Sequence, residues 1–408
     1  MRSTYPKSIF NITNILLLAF LLRAVWAYFV AIDPISDSFL YDAFARSIAT
    51  GNGYAFPSGD ITVYWPVGAS AIYAGIYKIF GLSYLPIVIF NILIGTSIVW
   101  LTYAVAKRYL DENIALIAAS LVVIWPILIE FTTIMASELI FIFLLLSAIY
   151  VWGSKNIPPV LRAILWGALI CAATYVRPTA LLVLILLPIL ELLANGKLRD
   201  CIISLCLATI TASILFSPWV YRNYQVFDEF VLVSANGGAN LWMGNNPNSN
   251  GGYTDLPDLN FKNEVTRDKY FKKEAIDFII HNPASYAKLA VLRTITTYKA
   301  ETIGIVWNGA LEKRFSKPVL LVMKLISSLY WWIVAVLAAF GVYRILKDRK
   351  LKIFHVLFIV CGFFFLFPIL TVAQDRYHMP INPFLAIFAA YALQSFCTNY
   401  NIKRKISV

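Results

Sequence analysis

The feature that most restricts this chain is the recurrence of apolar runs about as long as a bilayer is thick. A helix needs about 20 apolar residues to cross hydrocarbon. Candidates lie at 10–31, 82–106, 113–130, 135–153, 160–176, 178–194, 200–220, 319–345, 353–373 and 380–398. With 60% hydrophobic and 14% charged residues among 408, no soluble core could hide that surface. The expected architecture is an all-α polytopic membrane protein with about ten spans, in a range of about nine to twelve. Only Arg177-Pro178 divides the pair over 160–194.

The charge distribution sets the expected topology. A net charge of +12 in a soluble protein would raise the question of nucleic acid. Here the cations cluster in short loops, so no nucleic-acid partner is expected. One set of loops holds Lys107 and Arg108, then Lys155 and Arg162, then Lys197 and Arg199. It continues through Arg344, Lys347, Arg349, Lys350 and Lys352 to the tail Lys403, Arg404 and Lys405, and Arg2 and Lys7 match it. The positive-inside rule makes this the cytoplasmic side, with both termini there, in a plasma (inner) membrane. The basic start leads into a long apolar run without a small-residue cleavage site, so it reads as a retained first span. The five cysteines all lie in apolar runs without metal spacing, and read as small apolar residues.

Three regions follow. Residues 1–220 read as an N-terminal transmembrane module with an outer loop at 32–81. Residues 221–318 are too long and polar for a simple connection and read as an extracytoplasmic subdomain. Residues 319–408 supply C-terminal helices and a cytoplasmic tail. Within the outer segment, 264–281 and 284–300 show helical apolar spacing, split by Asn282-Pro283. Helices on the membrane surface and an ordinary amphipathic hairpin fit that pattern equally.

The ionisable residues Asp33, Asp37, Asp42, Glu138, Arg177, Arg222 and Arg376 all fall at or near the outer face. Charges near membrane depth are costly and tend to face a cavity. From Ser36 onward the first loop reads as a short amphipathic helix, ending at Thr50-Gly51-Asn52-Gly53. Asp37, Tyr41 and Phe44 share one face, and Asp42 and Arg46 form an i,i+4 pair. Asp37 sits in the first turn, where the helix dipole favours a carboxylate; a plain cap reads the same way. Arg177, Arg222 and Arg376 each mark the outer end of a span. They suit a phosphate clamp, because guanidinium forks bind phosphate oxygens; snorkelling to headgroups is the competing account. Glu138 begins a span as a cap or an orienting group. The histidines His281, His355 and His378 have no ligand spacing, and His378 reads as interfacial. There is no Asp-x-Asp, Walker loop or Gly-rich dinucleotide turn. The spans are also nearly free of acids at mid-depth, unlike those of coupled carriers.

Taken in order, five stretches resemble the membrane glycosyltransferases of the C-type fold, specifically bacterial relatives of dolichyl-phosphate-mannose protein mannosyltransferases and the lipid A aminoarabinose transferase. They are Asp37-Ser-Phe-Leu-Tyr41 with Gly51-Asn-Gly53-Tyr54, and Tyr64-Trp65-Pro66-Val67-Gly68 through Gly81. Then come Val176-Arg177-Pro178-Thr179, Pro218-Trp219 through Tyr224 with Asn240 through Pro247, and Arg376-Tyr377-His-Met-Pro380 through Pro383. The resemblance implies a polyprenyl-phosphate-linked monosaccharide donor, inversion at the anomeric carbon and an extracytoplasmic acceptor: lipid, glycan or protein. It implies Asp37 as catalytic base, with Arg177, Arg222 and Arg376 as donor-phosphate contacts. Tyr54, Tyr64 and Trp65 would stack on the sugar, while Tyr41, Asp42, Glu138 and Tyr377 would support the site. No cofactor is required and metal dependence is not signalled. Many relatives have a basic residue just before the loop proline, where this chain has Tyr64 or Trp65. A lipid-linked sugar flippase, and a surface polysaccharide polymerase or ligase, are the alternatives; neither needs a poised carboxylate at Asp37.

Overall fold

The computed structural model describes residues 11–195, 198–353 and 355–406; Arg2, Lys7 and Lys197 lie outside them. Among the described residues there are no strands, only two isolated bridges, Pro34 with Asn308 and Ala55 with Ile61. The first half runs α1 (Ile12–Phe29), α2 (Asp37–Ala49), α3 (Gly68–Phe80), α4 (Tyr84–Tyr109), α5 (Glu112–Val123), α6 (Pro126–Glu130), α7 (Glu138–Trp152), α8 (Pro159–Val176), α9 (Leu181–Asn195) and α10 (Leu198–Phe227). The outer segment contributes α11 (Gly237–Gly244), α12 (Glu264–His281), α13 (Pro283–Tyr298), α14 (Ile303–Val306) and α15 (Gly309–Arg314). The chain closes with α16 (Lys317–Lys347), α17 (Val356–Leu370), a 3₁₀ turn at Asp375–Ile381 and α18 (Asn382–Ile406).

Each of the ten apolar stretches contains helix. Six helices are long and apolar enough to span: Ile12–Phe29, Tyr84–Tyr109, Pro159–Val176, Leu198–Phe227, Lys317–Lys347 and Asp375–Phe396. A seventh candidate, Glu112–Val123 with Pro126–Thr133, is bent by 63°. The other three, Glu138–Trp152, Pro178–Leu190 and Val356–Leu370, are shorter apolar helices. This is a multi-pass membrane protein. Leucines and isoleucines on the rim helices point outward: Leu17 and Leu21 on α1, Ile210 and Ile214 on α10, Leu325 and Leu329 on α16. Lipid is their solvent, so the usual inside-out rule relaxes there. At the centre α4, α5, α7 and α18 bury Ala118, Phe141, Leu145, Phe384 and Phe388 against one another.

Prolines set the breaks. Pro126 cannot donate to a preceding carbonyl, and the chain bends at Trp125. Arg177 precedes Pro178 and takes extended angles, φ −145 and ψ 114, which stops α8. Pro218 sits inside α10, yet the helix continues to Phe227. The reason is local: the Ser217 hydroxyl donates to the Ile214 carbonyl that proline leaves unpaired, at 2.8 Å.

The outer segment docks on the end of the bundle. The α12–α13 hairpin follows the expected boundaries within two residues and packs on α11, α17 and the 375–381 turn. Arg293 on α13 donates to the Ile369 carbonyl at 2.5 Å and to the Gly244 carbonyl at 2.7 Å. The Tyr286 hydroxyl reaches the Leu370 carbonyl and the Asn245 amide reaches the Thr371 carbonyl.

The first loop is held to α8 through Gly68. A Cβ at that position would lie 2.6 Å from the Tyr175 carbonyl carbon and oxygen. Gly68→Val must push α3 off α8. A loss of roughly 1–3 kcal/mol is expected, read as a lowered Tm in detergent; an unchanged Tm would contradict this close packing.

Candidate active site

Four charged side chains from four elements converge at one end of the bundle. Asp37 opens α2 after Ser36, whose φ of +52 turns the chain into the helix. Glu138 opens α7, Arg177 ends α8, and Arg376 lies on the 3₁₀ turn before α18. Glu138 is the hub. Its fully buried carboxylate accepts from the Arg177 guanidinium at 2.5 Å and from Arg376 at 3.2 Å, both on Oε1. A second nitrogen of Arg376 reaches Asp37 Oδ2 at 2.6 Å. Each arginine has further restraints. The Arg177 Nε donates to Ser137 Oγ at 3.1 Å. The Arg376 Nε donates to Gln374 Oε1 at 2.7 Å, and its guanidinium lies 4.0 Å from the Trp307 ring centre. Two forks held in this way are pre-oriented for oxygen anions.

The cluster forms one wall of a cavity of about 700 Å³. Tyr41, Tyr64, Trp65 and Tyr253 line its polar and aromatic side. Phe141, Leu182, Phe364, Phe367 and Pro368, from the bundle, line its apolar side. Among the described residues that line it, Asp37 is the sole carboxylate. Burial, with the Glu138 charge behind it, pushes the Tyr41 phenol up to about 12. Burial likewise pushes Tyr64 up to about 12. Both phenols stay protonated at neutral pH and can donate hydrogen bonds. Among the described residues no three His, Cys, Asp or Glu side chains group as metal ligands.

Asp37, Tyr41, Tyr64, Trp65, Arg177, Arg376 and Tyr377 thus meet at the cavity, with Glu138 directly beneath. The other sequence candidates stand apart. Arg222 does not line the cavity; it donates to the Thr62 carbonyl at 3.0 Å and the Tyr54 carbonyl at 3.4 Å, stacked on Trp219. Its fork is committed to loop backbone, so the expected phosphate contact is replaced by a loop staple. Tyr54 is 3% exposed, packed between Phe44 and Trp219, with its hydroxyl on the Trp65 carbonyl. It supports Trp65 from behind rather than stacking on a ligand. Asp42 is buried too; it accepts from Tyr77 at 2.5 Å, Tyr84 at 2.9 Å and Arg46.

One reading of the sequence changes. His378 is not interfacial but fully buried, and contacts Glu301 at 2.9 Å. Two acids that the sequence left unremarked, Glu130 and Glu301, are also buried. Glu130 closes an apolar run and Glu301 lies in the outer segment, so neither broke a hydropathy window. Ser137 and Gln374 flank motif residues and could have been named from that adjacency. Tyr253 and Trp307 carry no local signal; only the fold brings them in.

Comparison with known proteins bears on the fold. A family model, that of the dolichyl-phosphate-mannose-protein mannosyltransferases, matches residues 65–221. That stretch contains Glu138 and Arg177 but not Asp37 or Arg376. The structure superposes on ArnT from Cupriavidus metallidurans bound to undecaprenyl phosphate with a TM-score of 0.60, at 12% identity, covering 94% of this chain and 60% of that one. It superposes on the oligosaccharyltransferase AglB from Archaeoglobus fulgidus, in complex with an inhibitory peptide and a dolichol-phosphate, with a TM-score of 0.59, at 13% identity, covering 97% of this chain and 51% of that one. The fold is that of the C-type membrane glycosyltransferases. The chain spans about half the length of the oligosaccharyltransferase it matches. No curated protein matches it in sequence.

The Asp42 geometry separates scaffold from site. Asp42→Asn removes a charge that two phenols and Arg46 share. A cost of roughly 1.5–3 kcal/mol is expected, seen as a lower Tm. A wild-type Tm in Asp42→Asn would contradict this scaffold role.

Proposed function

We propose that this protein is an inverting glycosyltransferase that moves a monosaccharide from a polyprenyl-phosphate carrier to an extracytoplasmic acceptor hydroxyl. The observation that carries the reading is the Asp37 carboxylate on the cavity wall, 2.6 Å from an arginine that Glu138 holds in place.

An acceptor hydroxyl is a poor nucleophile at neutral pH. Asp37 takes its proton as the oxygen attacks the anomeric carbon. The bond from that carbon to the phosphate oxygen breaks, and its electron pair leaves on the phosphate. Arg376 and Arg177 face that growing charge from fixed positions. Charge bookkeeping favours a monophosphate carrier. A sugar phosphodiester bears one negative charge, and the departing lipid phosphate bears one more. Asp37 loses one negative charge in the same step, so the total in the site is unchanged. A diphosphate would bring a further charge to two guanidiniums that already share the Glu138 carboxylate. Inversion is supported because Glu138 is fully buried and Asp37 is the cavity's sole carboxylate among described residues. Attack then occurs once, without a separate enzyme nucleophile.

The apolar side of the cavity suits the isoprenoid tail, and Trp65 and Tyr64 suit a sugar face. The structures that match include one bound to undecaprenyl phosphate and one bound to a dolichol-phosphate, which supports the carrier class. The basic loops lie away from this end of the bundle, which supports an active site on the outer face.

Asp37→Asn is nearly isosteric but cannot take the proton. In cells lacking the chain, complementation with it should lower the transferred sugar by about 10²–10⁴-fold, read by mass spectrometry of surface glycans and lipid-linked sugars. Full restoration by Asp37→Asn would remove the base from the mechanism. Arg376→Ala should lower Tm, because Asp37 and Glu138 lose a partner, and should weaken binding of undecaprenyl phosphate to the folded fraction by at least about tenfold, the scale of one charge-assisted bond. Wild-type affinity in the folded fraction would assign Arg376 to the scaffold alone.

A further inference from the structure

The aim of Arg376 depends on a turn that is itself latched to a buried carboxylate behind it. On the turn's inner side, Asp375 Oδ2 accepts from the Thr302 amide at 3.0 Å and its hydroxyl at 2.7 Å. His378 Nδ1 lies 2.9 Å from the Thr297 carbonyl, and Nε2 lies 2.9 Å from Glu301 Oε1. Asn382 donates to the same oxygen at 3.0 Å, and Trp125 Nε1 donates to Glu301 Oε2 at 3.0 Å. Positions 375, 378 and 382 thus face the 297–302 strip. Arg376 and Tyr377 project the other way, into the cavity.

The hydrogen positions follow from the partners. A carbonyl only accepts, so His378 Nδ1 carries a proton toward Thr297. A lone pair on Nε2 would repel a bare carboxylate oxygen, so a second proton lies between Nε2 and Oε1. The imidazole lies against Trp331, tilted, with ring centres 4.3 Å apart, and both His378 and Glu301 are fully buried. A group with four satisfied contacts and no solvent is costly to disturb and fixes its neighbours. None of these atoms lines the cavity, so the latch touches no ligand.

Resting on the donor reading above, we infer that Glu301 is a positioning residue: with His378 it clamps the 375–381 turn so that Arg376 points at the donor phosphate. Gln at 301 can keep the clamp. Its amide donates to Nε2 and its oxygen accepts from Trp125, while Asn382, whose Oδ1 lacks a partner, can rotate to accept from the new amide. Leu at 301 leaves His378 Nε2, Trp125 Nε1 and the Asn382 amide without the carboxylate they share.

The test is the dissociation constant of undecaprenyl phosphate on the purified full chain, in the wild-type and Arg376→Ala backgrounds. Glu301→Leu should weaken binding about tenfold in the wild-type background, the scale of one lost charge-assisted bond. Glu301→Gln should stay within about threefold. In the Arg376→Ala background Glu301→Leu should add nothing, because its effect passes through an arginine no longer there. If Glu301→Leu does not fold, Thr302→Val removes only the hydroxyl donor to Asp375. It should give a smaller loss, about threefold, that also vanishes without Arg376. The same factor in both backgrounds, wild-type affinity in Glu301→Leu, or Gln as weak as Leu would overturn the inference alone. A wild type that binds no polyprenyl phosphate would overturn the donor reading, and the inference with it.

Discussion

The structure at the end of the bundle where α2, α7, α8 and the 375–381 turn meet depends on one carboxylate oxygen. Glu138 Oε1 receives both Arg177 and Arg376, and no water reaches it. Two guanidiniums so close would repel each other and fall back toward solvent. The shared anion makes their approach tolerable, at the cost of taking three charges out of water. Asp37 then closes the chain of charges on the cavity side. Four segments far apart in sequence meet here, so the ion cluster also fixes how α2, α7, α8 and the 375–381 turn stand relative to one another.

Much of this was legible in the sequence, because its signals were local. Bilayer-length runs located the helices, and Pro178 located the break between α8 and α9; the 63° bend at Trp125, inside the run read as a single span over 113–130, was not anticipated. The first-turn position of Asp37 and the span-end positions of Arg177 and Arg376 pointed to a common end of the bundle. Depth and side could be inferred, but not reach. Arg222 has the same residue type at the same depth, yet its fork turns to the carbonyls of Thr62 and Tyr54. The choice between phosphate and backbone depends on where another loop lies, which no local pattern records. Tyr54 was misplaced for the same reason: it sits in the first loop, but on the side facing protein.

Hydropathy was also blind to the interior polar layer. A single acid at the end of an apolar window changes its average little, so Glu130 left no trace. Glu301 and His378 lie 77 positions apart, with nothing in either neighbourhood to announce the other. Their pairing appears only once the outer segment folds back onto the bundle. Trp307 and Tyr253 enter the site by the same route.

The junction between the outer segment and α17 has a consequence of its own. The last carbonyls of a helix have no partner within it. Those of Ile369, Leu370 and Thr371 are taken by Arg293, Tyr286 and Asn245. These three contacts read main chain, while Tyr298 also stacks on the Phe365 ring of α17. The side chains that α17 turns away from Tyr298 are free to drift as membranes of different thickness demand. A graft of this outer segment onto a related bundle would have to carry those three donors and find a ring for Tyr298, with Asp375 and His378 waiting on the 375–381 turn.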